Sequence, residues 1–247
     1  MFWAAKEGHS DEEYEDAGCM ASEIEHRGIV SRYAVADGAT ETSFAGAWAR
    51  ALVMAYCQGL LTGLQTDHTV KALRENWSAQ VGQLSLPWYA EEKALRGAFA
   101  TFCGLTVCHD SEHKSEEGDW QVLAIGDSCF FHVRKKRVIR SFPLVRSTEF
   151  GCSPEMLGSL SDLPATSRLL SAEGRWLAGD TFLLMTDALS CRFLTESEAG
   201  QLPSDFLAHM HSEQSFQKYL QDMRGLVDSE GTKQLRNDDV TVLIIRM

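Results

Sequence analysis

The 247-residue chain carries 35 acidic side chains against 23 basic ones, for a formal charge of −12, and 44% of its residues are hydrophobic. That hydrophobic share is too high for a disordered chain, and a polymer of this length buries roughly 70–75% of its unfolded surface without needing disulfides. The negative balance excludes a general binder of nucleic acid or anionic membranes, because no basic field exists to neutralise phosphates; phosphate chemistry through intervening divalent cations stays open.

Seven cysteines, an odd number with no CxxC pair, argue for a reducing cytosol rather than a disulfide scaffold. The opening MFWAAKEGHSDEEYED lacks a basic segment followed by a long apolar one. The longest apolar stretches, such as residues 51–56, fall far short of the ~18–20 residues of a membrane span. A soluble cytoplasmic protein is expected. Five prolines and 19 glycines do not cluster, so residues 1–247 read as a single domain without linker or repeat.

In chain order, residues 29–36 (IVSRYAVA) read as a buried strand. Residues 43–63 have helical spacing, with Ser43 as N-cap and Gly63 as stop. A second helical stretch covers 66–84 and 90–98, interrupted near Pro87. Residues 100–109, 119–125, 128–134 and 137–142 then read as consecutive strands with short polar turns, most simply an antiparallel meander. Residues 146–178 look like an irregular surface excursion. Residues 180–186 predict a strand, 187–194 and 203–226 helices, and 239–246 (DVTVLIIR) a final strand. This order predicts an α+β fold rather than a doubly wound parallel one.

The informative acids lie at the ends of elements. They are Asp16 in YEDAG, Asp37 in AVADGAT, Asp127 in AIGDSC, Asp187 in LLMTDALS, and Asp238 with Asp239 in NDDVTVLII. Each also fits an ordinary role: a solvated acid run over 11–16, a turn at Asp37-Gly38, a hairpin tip at Asp127, an N-cap at Asp187, a turn at Asn237-Asp238. Jointly they suggest more. Asp37 and Asp187 end apolar strands and Asp238 begins one, so neighbouring strands would bring the carboxylates together. Such a cluster repels itself unless a cation or proton intervenes. Oxygen ligands without a well-placed His or Cys select Mg²⁺ or Mn²⁺, and two such ions can activate a shared water.

With these motifs in this order, ED-A, V-A-D-G, A-T-x-x-G-L-T-V, A-x-G-D-S, F-L-L-x-T-D and D-D-V-T, the chain from about residue 6 to 246 resembles the metal-dependent protein serine/threonine phosphatases of the PPM (type-2C) class, especially compact bacterial members. The resemblance implies an αββα sandwich of two antiparallel sheets between helices. It implies two Mn²⁺ or Mg²⁺ ions, with catalysis by metal-activated water supported by Asp37, Asp187 and Asp238. Asp37 would bridge the ions, the Gly38 carbonyl would bind the second, and Asp187 and Asp238 would bind the first. Glu15 and Asp16 would hold metal-bound waters, with Asp239 beside them. Asp127 matches an acid that helps hold a weaker third ion. The implied activity is hydrolysis of phosphoserine and phosphothreonine in proteins, opposing a cognate serine/threonine kinase in signalling. No nucleic-acid or membrane partner is implied, and oligomeric state is left open with a monomer favoured.

The chain departs from the family pattern in five places. Thr40 and Glu41 replace glycines common after the bridging aspartate, and some members have a proton-donating His at the position of Ala39. Glu41 or a metal-bound water would then protonate the leaving group. The family often has a phosphate-gripping Arg four residues before Glu15; here Asp11 stands there and no replacement is assigned, Lys6 being the one candidate. Ala188 replaces a glycine. Cys191 replaces an acid, which leaves a third ion in doubt. Asp239 stands where Asn is usual. These departures motivate an alternative function, a pseudophosphatase that recognises a phosphoprotein or kinase without turnover.

Other signals read blandly. Cys108, His109 and His113 suggest a polar hairpin tip rather than a soft-metal site, Cys191 a small filler, and His209 with His211 a surface pair that does not share a helix face. Lys135, Lys136, Arg137 and Arg140 read as a solvated hairpin. The 146–178 excursion corresponds to the family's variable flap, expected to influence substrate choice.

Overall fold

The computed structural model describes residues 1–25, 28–40, 44–61, 63–109, 116–151, 153–160, 162, 164–227, 231 and 233–247. The strands are β1 (Phe2–Ala4), β2 (Ala17–Glu25), β3 (Gly28–Gly38), β4 (Phe99–His109), β5 (Glu117–Ile125), β6 (Cys129–Arg134), β7 (Arg137–Phe142), β8 (Leu157–Gly158), β9 (Leu170–Leu177), β10 (Thr181–Met185) and β11 (Val240–Arg246). The helices are α1 (Ala45–Cys57), α2 (Thr66–Gly82), α3 (Trp88–Ala94), α4 (Asp187–Glu198), α5 (Pro203–Ala208) and α6 (Glu213–Gly225). Among the described residues the strands form two antiparallel sheets. One has the order β1-β11-β10-β6-β7; the other runs β2-β3-β4-β5-β9, with β8 beside β4.

Strand alternation explains the layering, since successive side chains face opposite sides of a sheet. In β3, Val35 faces the opposing sheet while Ala34 and Ala36 face α1. In β10, Phe182 and Leu184 face inward, and Leu183 and Met185 pack under the helices of the other side. Three separate apolar interfaces result. Trp48, Leu52 and Tyr56 of α1 cover one sheet, joined by Val70 and Trp77 of α2. Phe193, Phe206 and Phe216 of α4, α5 and α6 cover the other. Between the sheets lie Trp120, Phe130, Phe182 and Leu243. Complete burial of side chains this large contributes roughly 2–3 kcal/mol each. The α+β class and the αββα layering are as expected.

Four expectations are corrected. The four-strand run is not one meander: β4 pairs with β5 in one sheet and β6 with β7 in the other, so the chain crosses between sheets at residues 126–128. Gly126 makes that corner with φ +87°, and a Cβ there would lie 2.6 Å from the Glu155 carbonyl oxygen. The 146–178 excursion is also narrower than its irregular composition suggests. Residues 170–177 form β9, an edge strand that buries Ala172 and Trp176 on one face and exposes Glu173 and Arg175 on the other. The loop before it is tied down where Trp48 Nε1 donates to the Leu157 carbonyl at 2.8 Å and the Thr166 backbone N–H donates to Asp67 at 2.9 Å. Helix α1 ends at Cys57, capped by Gln58, ahead of Gly63; Ser43 lies outside the described residues. The predicted 203–226 helix is two, α5 and α6, separated at residues 209–212. Among the described residues no helix is long and apolar enough to cross a membrane.

Candidate active site

The key acids come from both sheets. Asp37 sits in the last turn-ward residues of β3, half-buried, directly opposite Thr101 of β4. Thr101 Oγ1 is 2.7 Å from Ser128 Oγ, so the same threonine that pairs with Asp37 also fixes the inter-sheet corner carrying Asp127. Asp127 is therefore at a crossing between sheets, not at a hairpin tip. Asp187 follows β10 and opens α4, with Thr186 as the N-cap residue. Asp238 precedes β11 in a tight turn in which its N–H donates to the Arg236 carbonyl at 3.0 Å. Thus Asp187 and Asp238 meet on the neighbouring strands β10 and β11, as expected, while Asp37 joins them from the end of the facing sheet.

They meet around one recess of about 630 Å³, lined by Asp37, Asp127, Asp187 and Asp238. Thr40 and Ser153 add hydroxyls, and Phe99, Pro154 and Met156 make an apolar wall. The loop from the excursion thus borders the recess. Burial raises the Asp37 carboxyl well above the usual carboxylate range, reinforced by the charges of Asp16, Asp187, Asp238 and Asp127. Burial, with help from Asp187 and Asp238 and against Arg236, pushes Asp127 up to about 7. Burial likewise raises Asp187, partly offset by Arg236, and raises Glu15, partly offset by a hydrogen bond with Thr40.

Asp16 lies directly behind this group and is 1% exposed. Its Oδ2 accepts from Thr241 Oγ1 at 2.9 Å, while the Thr241 N–H donates to Thr186 Oγ1 at 2.9 Å. Burial, reinforced by Asp239, raises the Asp16 carboxyl well above its ordinary value. Asp239 has a different environment: its two oxygens accept from the backbone N–H groups of Lys6 at 2.9 Å and Glu15 at 2.7 Å. It therefore fastens the segment that carries Glu15 and Asp16. Arg224 of α6 plays a parallel part, donating to the Asp238 carbonyl at 2.6 Å and the Ala5 carbonyl at 3.2 Å. Thr186, Thr241 and Arg224 were not singled out from sequence; the first and second were visible only as the threonines of T-D and V-T.

The donor set fits oxygen-seeking divalent cations. Oδ1 of Asp16 and Oδ1 of Asp127 are buried without a hydrogen-bond partner, a costly state that a cation relieves. Among the described residues no three His, Cys, Asp or Glu side chains close around one point as a preformed cage. Asp187 has both oxygens engaged, Oδ1 by the Ala188 N–H and Oδ2 by Arg236, each at 2.5 Å. Glu41 lies outside the described residues.

Gly38 is required by space. A Cβ there would lie 2.7 Å from the Glu15 carbonyl oxygen and 2.8 Å from the Ala45 carbonyl carbon, both backbone atoms. Gly38→Ala is expected to push β3 away from the 14–16 segment, lowering stability by about 1–3 kcal/mol. Because that shift moves Asp37 relative to Asp16, the variant should also lose divalent-cation affinity, which calorimetric titration would measure.

Except for Cys191, which lies within the electrostatic reach of Arg236 and Asp187, the other sequence signals stay apart from the recess. Cys108 is exposed and His109 packs against Trp176, while His113 lies outside the described residues. Burial holds the Cys191 thiol above its ordinary value. His209 stacks on Tyr219, and His211 contacts the Ala208 carbonyl. Lys135, Lys136, Arg137 and Arg140 are exposed on the β6–β7 hairpin.

Comparison with known proteins agrees with this architecture. The serine/threonine phosphatase of S. agalactiae superposes with a TM-score of 0.58 at 12% identity, covering 100% of this chain and 98% of that one. The catalytic domain of the serine/threonine protein phosphatase PstP, in complex with two manganese ions, gives 0.54 at 17% identity, covering 98% and 94%. A structure described for the bacterial stressosome, a modular system adapted to control secondary messenger signalling, gives 0.53 at 21% identity, covering 98% and 95%. At these identities the likenesses establish the fold. A search of curated proteins gives no match. The sequence profile of Protein phosphatase 2C matches residues 9–237, ending one residue before Asp238. The chain therefore belongs to the protein phosphatase 2C family.

Proposed function

We propose that the protein hydrolyses phosphoserine and phosphothreonine in protein substrates, in a single step and with no covalent enzyme intermediate. The observation that carries this reading is the convergence of Asp37, Asp127, Asp187 and Asp238, drawn from two sheets, on one recess. Asp37 would lie between two cations, with the Gly38 carbonyl serving the second and Asp187 and Asp238 the first; Asp127 stands toward a weaker third position. Two Mn²⁺ or Mg²⁺ ions held there would supply charge neutralisation at the phosphoryl group and a water of lowered pKa. Glu15 and Asp16 would hold waters bound to those ions, and Asp239 keeps the segment that carries both in place through the backbone. Ala39 carries no proton for the leaving group, so a water or Glu41 takes that part. The six described cysteines are free thiols, which suits a reducing compartment, and we place the activity in the cytoplasm as a monomer acting on a phosphoprotein, opposite a serine/threonine kinase in signalling.

A second reading, a pseudophosphatase that binds phosphoprotein or kinase without turnover, is favoured by one observation. Arg236 already neutralises Asp187. A Mn²⁺-dependent assay on a phosphothreonine peptide panel, with Asp187→Ala as control, separates the two. Turnover is expected that needs Mn²⁺ or Mg²⁺ and vanishes in the control. Mn²⁺ binding without turnover of any peptide would favour the second reading, and no Mn²⁺ binding at all would remove the metal-dependent one.

A further inference from the structure

We propose that Arg236 grips the substrate's phosphoryl group, taking the part of the arginine that the resemblance would place where this chain has Asp11. The inference rests on the phosphatase reading above and names the residue that holds its substrate. Asp11 lies in an exposed turn, and Lys6 reaches only the exposed rim of the recess, where its Nζ donates to Thr40 Oγ1 at 3.2 Å. Arg236, by contrast, is the cationic residue among the described residues that line the recess, where it stands with Asp37, Asp127, Asp187 and Asp238. Its guanidinium donates to Asp187 Oδ2 at 2.5 Å and its side chain is 46% exposed, so it is anchored on one side and open to a ligand on the other.

A phosphate dianion entering a recess lined by four carboxylates meets their repulsion, which Arg236 offsets beside any divalent ions held there. A guanidinium also suits the task by geometry, because its planar fork can donate two parallel hydrogen bonds to phosphate oxygens. Its position is fixed by the backbone: the Asp238 N–H donates to the Arg236 carbonyl at 3.0 Å, and Arg224 holds the Asp238 carbonyl. The phosphate grip and the candidate metal ligand Asp238 therefore sit two residues apart on one braced turn.

The test compares wild type, Arg236→Ala and Arg236→Lys in Mn²⁺. Three quantities are measured: KM and kcat on a phosphothreonine peptide, the inhibition constant of inorganic phosphate, and Mn²⁺ affinity by calorimetry. Loss of a charge-assisted contact to phosphate should raise KM and the phosphate inhibition constant by about tenfold or more in Arg236→Ala, with a smaller rise in Arg236→Lys. Mn²⁺ affinity should be unchanged or tighter, because Asp187 is released. Unchanged phosphate inhibition in Arg236→Ala would overturn the proposal, as would Mn²⁺ affinity falling in step with phosphate affinity, since Arg236 would then serve only to shape the Asp187 site. The same comparison is made for phosphate binding by calorimetry, without turnover. If wild type binds phosphate but does not hydrolyse the peptide, and Arg236→Ala weakens that binding, the grip stands and the catalytic reading falls. If wild type binds no phosphate in Mn²⁺, the grip falls.

Discussion

Asp37→Ala is expected to lower Mn²⁺-dependent hydrolysis of a phosphothreonine peptide by on the order of 10³-fold, while the metal-free variant melts at a higher temperature than wild type. The two effects have one cause. Asp37 is raised far above the ordinary carboxylate range by burial and by the charges of Asp16, Asp187, Asp238 and Asp127. Without a cation its charge is a burden on the folded state, and removing it relieves four neighbours. With a cation the same charge is the proposed bridge between two ions. A carboxylate kept for a turn would behave oppositely, with activity spared and stability lost. Thermal melts in a chelator, beside steady-state kinetics in Mn²⁺, read both halves. Near wild-type turnover would refute the bridging role, and a lower chelator melting temperature would refute the electrostatic account.

The metal-free wild type should lose stability as pH rises from about 6 to about 7, by on the order of 3 °C in melting temperature. The sign follows from proton binding. Asp127 moves from 3.8 to about 7 on folding, so between those values the folded chain binds more protons than the unfolded one, and folding weakens as pH rises. Asp16, Asp37 and Asp187 shift in the same direction. Buried His132 is lowered from 6.5 by desolvation and contributes the opposite slope only below that value. Asp180, desolvated but held down to about 2 by its hydrogen bonds to Arg134, the Leu177 N–H and His132, titrates far below the window. Saturating Mn²⁺ should flatten or reverse the slope, because bound cations favour the ionised acids. Melting temperature rising with pH in a chelator would contradict this account.

These acids were legible because they stand beside small residues at the ends of apolar strands, and chemistry that needs convergent charge leaves that mark. Their partners were less so. Arg236 gave no signal, since RNDD reads as a polar turn until the fold directs it into the recess. Asp127 read as a hairpin tip because Gly-Asp-Ser suits a reversal equally well whether the next strand pairs with the last one or leaves for the facing sheet; only tertiary pairing decides. Strand β2 went unread because its outer half, residues 22–25, is exposed and looks polar. Strand β9 was hidden in the excursion for the same reason, with only Ala172 and Trp176 buried. Strands buried on both faces, such as β4 and β11, were found nearly to the residue.

The division of the acids between two sheets has a mechanical consequence. Asp37 rides on one slab and Asp187 and Asp238 on the other, so their separation is gauged by whatever fills the gap. That filling is aromatic: Trp120, Phe130 and Phe182 stand with ring centroids 4.9 to 6.2 Å apart. The hydrophobic interior thus acts as a spacer that calibrates the ionic end of the molecule. Trimming one ring far from the recess would alter the jaw width there before it altered any ligand.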